Sequence, residues 1–122
     1  MRIGTDLVEI DRIRRCVERH GESLRGKVFT LYEWQFCWKK NIPWPSFAAR
    51  FAAKEAVAKA FGVGFGASLR WVSVEVRNDA QGSPYVQLDE FGKMLLQKYQ
   101  ATEVQISLSH HRTTALAVAL LA

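Results

Sequence analysis

The segment FAARFAAKEAVAKAF, residues 47–61, constrains this chain more than any other. Seven of its fifteen residues are Ala and four more are Phe or Val. Ala favours the helix more than any other residue, so the segment is expected to be helical and to stop at the glycines of GVGFG. Taking Arg50 as zero and stepping about 100° per residue, Lys54 falls near 40°, Glu55 near 140° and Lys59 near 180°. Ala49, Ala52, Ala53, Ala56, Val57 and Ala60 fill the arc from roughly 200° to 340°, and Phe47, Phe51 and Ala58 lie between the polar pairs. No broad solvated face remains, so packing must cover most of the circumference, and the small side chains let other elements approach the backbone closely.

The flanking sequence offers partners for such a helix. MRIGTDLVEI reads as a strand that runs into a helix from Asp11 to about His20. Thr30 and Glu33 stand in capping-box register and open a second helix, which the two prolines of NIPWPS break before the Ala-rich helix begins. WVSVEVRN alternates, with Val72, Val74 and Val76 on one face; DAQGSP is a turn, and YVQL pairs back as a hairpin. Asp89 is expected to cap a helix reaching about Gln100, with Phe91, Met94, Leu95 and Tyr99 inward. VQISLSH alternates again. TALAVALLA is apolar on both faces, which predicts a central strand covered on both sides. The expectation is a single α+β domain over residues 1–122, a mostly antiparallel sheet packed by helices.

Composition removes several classes of function. The hydrophobic fraction of 48% and charged fraction of 24% suit a globular chain. No apolar run approaches the ~18 residues of a membrane helix, and the N-terminus lacks a secretory apolar core, so a cytoplasmic protein without a membrane role is expected. Cys16 and Cys37 show no metal-ligand spacing and are read as free thiols. The net charge of +5 favours anionic partners: nucleic acid, phosphate-bearing ligands or an acidic protein.

The charges on the Ala-rich helix admit two readings. Glu55 and Lys59 can form an i,i+4 ion pair worth a few tenths of a kcal/mol, about 0.3. Alternatively, a partly buried carboxylate demands a cation and a nearby ammonium demands an anion, so a metal ion beside a phosphate satisfies both. Asp6 interrupts the apolar run IGTDLVEI, either as a turn or cap residue or as a second oxygen ligand that joins Glu55 around Mg²⁺, which takes one or two carboxylates, water and substrate phosphates. His110 ends a strand and is either structural or part of a site. Gly62 and Gly64 either let backbone N–H groups approach phosphates or, for Gly62, cap the helix. Arg12, Arg15 and Arg19 share one helix face, opposite Ile13, Cys16 and Val17, with Arg25 and Lys27 just beyond. That face is either solvated or a docking surface.

In order along the chain, IGTDLVEIDRI, FAARFAAKEAVAKAFGVG, VEVRNDAQGSPYV and ISLSHHRTTALAVAL resemble the holo-[acyl-carrier-protein] synthases, the small 4′-phosphopantetheinyl transferases. The resemblance covers nearly the whole chain and is weakest across residues 21–46 and 89–103. It implies the 4′-phosphopantetheinyl transferase fold. It also implies transfer of the 4′-phosphopantetheine arm of coenzyme A to a serine of an acyl carrier protein in fatty acid biosynthesis. On that basis Asp6 and Glu55 would hold Mg²⁺ on the diphosphate, and Lys59 would face the departing phosphate; Asp6, Glu55 and Lys59 would be the catalytic set. Arg50, Lys59, Gly62, Gly64, Gly82, Ser83, Pro84 and His110 would bind coenzyme A. Ser83 stands where such turns usually carry Lys or Arg between Gly and Pro. Arg12 matches a docking arginine for the acidic carrier protein, joined on geometric grounds by Arg15, Arg19 and Arg25. A homotrimer with active sites between subunits is implied, with Trp34, Trp38, Trp44 and Trp71 compatible with subunit contacts or with the core. The rival reading is a small basic nucleic-acid-binding module, which leaves Asp6 and Glu55 unexplained and lacks aromatics interleaved with its basic residues.

Overall fold

The computed structural model describes all 122 residues. Strand β1 (Arg2–Glu9) runs directly into helix α1 (Ile10–His20), and helices α2 (Leu31–Trp38) and α3 (Trp44–Phe61) follow. Strands β2 (Val74–Asn78) and β3 (Pro84–Leu88) form a hairpin. Helix α4 (Glu90–Lys98) then leads into β4 (Val104–His110) and β5 (Thr114–Leu121). The larger sheet has the order β1-β5-β4, and every strand pair in both sheets is antiparallel. The α+β class expected from the pattern is the one observed.

Helix α3 lies on the inner face of the three-stranded sheet and supplies much of its core. Ala52, Ala53, Ala56 and Ala60 of the helix are buried, as are Ala115, Ala117 and Ala119 of β5. The approach of β1 is closer still. A Cβ placed on Gly4 would lie 1.9 Å from the Ala56 carbonyl oxygen and 2.6 Å from the Ala60 nitrogen, so only glycine fits there.

The helix also starts earlier than residue 47. Pro45 sits in its first turn, where a missing N–H breaks no intrahelical bond. Strand β2 begins at Val74 rather than Trp71, because residues 71–73 form a 3₁₀ turn that buries the Ser73 hydroxyl against Asp89 at 2.8 Å. On α4, Leu95 is buried as expected, and Tyr99 just beyond is half-buried and donates to the Phe61 carbonyl at 2.7 Å. Phe91 and Met94 instead face outward, 42% and 68% exposed. The buried positions of the helix are Gly92, packed against the Leu88 side chain, and Leu95.

Strand β5 is central as expected, but only one of its faces is covered within the chain. On the outer face Ile3 and Leu7 of β1 and Leu116 and Val118 of β5 are exposed, in register as the pairs Ile3–Leu120, Thr5–Val118 and Leu7–Leu116.

Away from the sheet, α3 is tied down by a buried ion pair. Lys54 Nζ donates to Glu33 Oε1 at 2.9 Å and to the Trp71 and Val74 carbonyls at 3.0 and 2.6 Å; both side chains are fully buried. Glu33 closes the α2 capping box with Thr30 and also accepts from the Val76 N–H at 2.8 Å. Burial pushes the Lys54 ammonium below its ordinary value, with Glu33 opposing. The tryptophans pack within the chain: Trp34, Trp38 and Trp44 surround Phe47, and Trp71 stacks between Phe51 and Phe65. Neither cysteine is bonded, and burial pushes the Cys37 thiol up to about 12.

Candidate active site

Asp6 lies within β1, opposite Ala117, rather than at the strand's end. It shares the inward side of the strand with Gly4 and Val8, so the close approach at Gly4 carries it to the flank of α3. There Lys59 Nζ donates to Asp6 Oδ1 at 3.1 Å and to the Thr5 carbonyl at 3.0 Å. The ion pair expected between Glu55 and Lys59 is replaced by this one. Glu55, one turn earlier, is half-buried, and its carboxyl is pushed above the ordinary value by burial and then by the charge of Asp6, with Lys59 and Arg12 opposing. Residues far apart in sequence therefore form one cluster of two carboxylates, an ammonium and a guanidinium.

Lys59 is held on Asp6, and Glu55, which the Asp6 charge disfavours, forms no ion pair, so its carboxylate is left to take a further cation. No group of three or more His, Cys, Asp or Glu side chains converges anywhere in the chain. A metal ion at this cluster would therefore meet two hard oxygen donors and complete its shell with water and ligand oxygens. That donor set suits Mg²⁺.

A second cluster sits on the other flank of α3. Arg50 is only 3% exposed. Its Nη2 donates to Asn78 Oδ1, its guanidinium lies 4.1 Å from the Phe36 ring centroid, and its Nε has no acceptor. Burial lowers its pKa. Asn78 in turn donates from Nδ2 to the Gly82 carbonyl at 3.0 Å, joining the arginine to the turn between β2 and β3. Arg50, Asn78, Gly82, Pro84 and His110 line one cavity of about 290 Å³. Ser83 does not line it; its N–H is held by Asp79 Oδ1 at 2.9 Å.

Arg50 and Glu55 are separated by about 140° around the helix and about 8 Å along it. Asp6 belongs to one edge strand of the sheet and His110 to the other, with β5 between them. Within one chain the two clusters therefore face opposite ways. Gly62 and Gly64 join neither. Gly62 caps α3 in the left-handed conformation, and its N–H is spent on the Lys59 carbonyl at 3.0 Å. Gly64 is exposed in the loop that follows.

On α1, Arg12, Arg15 and Arg19 are exposed, and Ile13 and Val17 are buried. Arg15 is paired with Asp11 at 3.5 Å, and Arg25 with Glu22 at 3.0 Å. Arg12 and Arg19 form no ion pair, and Arg12 reaches over the Phe51 ring at 6.0 Å, towards Glu55. The largest cavity, about 560 Å³, opens between Glu9, Arg14, Trp44 and Arg112 and contains none of the expected site residues. Sequence reasoning missed Phe36 of α2, Lys40 in the loop after it and Asn78 of β2, which line the Arg50 cavity from segments that carry no local signal of a site.

Known proteins supply the context. The family model for the 4′-phosphopantetheinyl transferase superfamily matches residues 2–119. A holo-[acyl-carrier-protein] synthase of Ruminiclostridium cellulolyticum is 42% identical, covering 99% of this chain and 91% of the relative. Another from Chlamydia caviae is 43% identical, over 97% and 93%. Among solved structures, the synthase of Neisseria meningitidis superposes with a TM-score of 0.89 at 30% identity, covering 99% and 97% of the two chains. That of Helicobacter pylori, in complex with coenzyme A, gives 0.85 at 28%, covering 98% and 99%. With this coverage at both levels, the chain belongs to the holo-[acyl-carrier-protein] synthase family of 4′-phosphopantetheinyl transferases.

Proposed function

We propose that this protein transfers the 4′-phosphopantetheine group of coenzyme A to a serine of an apo acyl carrier protein, with Mg²⁺, releasing adenosine 3′,5′-bisphosphate, as a step supporting fatty acid biosynthesis in the cytoplasm. The observation that carries the reading is the meeting of Asp6, Glu55 and Lys59 beside α3. The serine hydroxyl gives up its proton as its oxygen forms a bond to the phosphorus bearing pantetheine. The bridging P–O bond of the diphosphate breaks, its electron pair leaving with adenosine 3′,5′-bisphosphate. Phosphoryl-type transfer asks mainly for positioning and charge stabilisation, which fixed charges on a strand and a helix provide. When bound between Asp6 and Glu55, Mg²⁺ supplies neutralisation of the diphosphate charge. Lys59 faces the leaving phosphate and stabilises its growing negative charge; its two oxygen partners hold the ammonium in place. No nucleophile is required of the enzyme, because the carrier protein brings its own hydroxyl.

Arg50, His110 and the 82–84 turn take the nucleotide end. Because these residues lie on the opposite flank of α3, one coenzyme A molecule is best served by Asp6, Glu55 and Lys59 of one chain and the Arg50 cluster of a neighbour. The exposed apolar face of Ile3, Leu7, Leu116 and Val118 supports the same conclusion, since a bare sheet face needs covering. A homotrimer accommodates both. The acidic carrier protein docks on α1, where Arg12 and Arg19 are free of acidic partners and Arg12 leads towards Glu55. A nucleic-acid-binding role gains no support from these clusters, and no helix is long and apolar enough to cross a membrane.

The test is to incubate the protein with apo acyl carrier protein, coenzyme A and Mg²⁺ and to weigh the carrier protein. A gain of one phosphopantetheine group that disappears with chelator is expected. An unchanged carrier mass contradicts the assignment.

A further inference from the structure

The cavity beside Arg50 contains a cation that neither the family resemblance nor the mechanism uses. Lys40, just beyond the end of α2, lines it together with Arg50 and His110, and no acidic side chain does. Its ammonium lies 4.9 Å from the centroid of the Phe36 ring, the ring that Arg50 covers at 4.1 Å. One aromatic side chain thus holds two cations at one cavity wall. Lys40 forms no ion pair with any carboxylate, and the buried Nε of Arg50 has no acceptor. Two unneutralised cations gathered at one concave site point to an anionic ligand.

With coenzyme A as the substrate, on which the inference rests, the anion can be named. The molecule carries three phosphates, two in the diphosphate and one on the ribose 3′ position, and the diphosphate belongs with Asp6, Glu55 and Lys59. The monoester remains for this cavity. A turn reading Gly-Lys-Pro or Gly-Arg-Pro would bring a cation to the same region, but here Ser83 occupies that position and its N–H is tied to Asp79. We propose that Lys40 supplies the cation that the 82–84 turn lacks, gripping the 3′-phosphate together with Arg50. Lys40 is thereby a specificity-determining residue that favours coenzyme A over its 3′-dephospho form. Its ammonium donates to the phosphate oxygens, and the Phe36 ring limits where the flexible side chain can swing.

Steady-state kinetics with coenzyme A and with 3′-dephospho-coenzyme A test this. Lys40 is exposed, so Lys40→Gln and Lys40→Arg are not expected to disturb folding. Lys40→Gln should raise KM for coenzyme A about tenfold, with kcat and KM for the dephospho form held within about twofold. Lys40→Arg should stay near the parent protein, and adding Ser83→Lys to Lys40→Gln should recover most of the lost coenzyme A affinity. Equal effects on both substrates, no effect on coenzyme A, or no recovery with Ser83→Lys overturns the assignment. A parent protein inactive with both substrates fails at the earlier step, the coenzyme A reading itself.

Discussion

Replacing Lys54 with Met removes the ammonium from the centre of a fully buried network while conserving much of its volume. Glu33 loses its only cation but remains enclosed, with the N–H groups of Thr30 and Val76 as its remaining donors. The Trp71 and Val74 carbonyls lose the same donor, at 3.0 and 2.6 Å. Breaking one side of a buried ion pair costs about 3–5 kcal/mol, because a charge is left without compensation. Against a total stability of about 5–15 kcal/mol this is a large fraction, and for a domain of this size it lowers Tm by about 10–20 °C. Urea denaturation of the parent protein, Lys54→Met, Glu33→Leu and the double variant measures it. The double variant should lose at least about 2 kcal/mol less than the sum of the singles, since removing both charges leaves neither stranded. Additive losses, or a Lys54→Met cost below about 1 kcal/mol, would refute the view that this pair braces α2, α3 and β2.

Other perturbations probe the remaining parts. Gly4→Ala drives a methyl group into the Ala56 carbonyl, so the variant should lose about 3 kcal/mol or more by denaturant titration, and transfer activity should fall with it because Asp6 moves away from α3; a stability within about 1 kcal/mol of the parent contradicts the close approach. Arg12→Glu combined with Arg19→Glu should raise KM for the carrier protein at least about tenfold, leave KM for coenzyme A unchanged and weaken the salt dependence of the rate; parallel losses for both substrates contradict docking on α1. Val118→Asp, on the bare outer face of β5, should yield a folded chain that sediments as a monomer and transfers poorly; an active monomer contradicts a site shared between chains.

Much of this was legible in the sequence because the signals were local. The Ala-rich run determined α3, alternation gave β4, the continuous apolar run gave β5, and the Thr30 and Glu33 spacing gave a cap that is present in full. What escaped was tertiary. Lys54 resembled one member of a polar pair with Arg50, and nothing within a turn of it announced a partner 21 residues away in Glu33. The outward-facing Phe91 and Met94 leave Gly92 packed against Leu88 instead, a contact without a periodic signature. The coverage of β5 was overread for a similar reason: an apolar pattern marks a face that avoids water without naming what covers it. In the candidate site, Asp6, Glu55 and Lys59 stood out because charge interrupted apolar runs. Phe36, Lys40 and Asn78 sat in ordinary helix, loop and strand contexts and became visible only once Arg50 brought them together. The Gly62 ambiguity between phosphate loop and helix cap resolves in favour of the cap on hydrogen bonding.

The claim on which the chemistry turns is that Asp6 and Glu55 hold one divalent ion between them. Mn²⁺ is spectroscopically visible and favours the same oxygen ligands as Mg²⁺, so titrating it into the protein with coenzyme A, while following the free-ion paramagnetic signal, addresses the claim without relying on turnover. The parent protein should deplete the signal until each active site holds a single ion, and Asp6→Asn and Glu55→Gln should each leave the signal undepleted. Saturable binding of parental affinity in either variant would contradict the account.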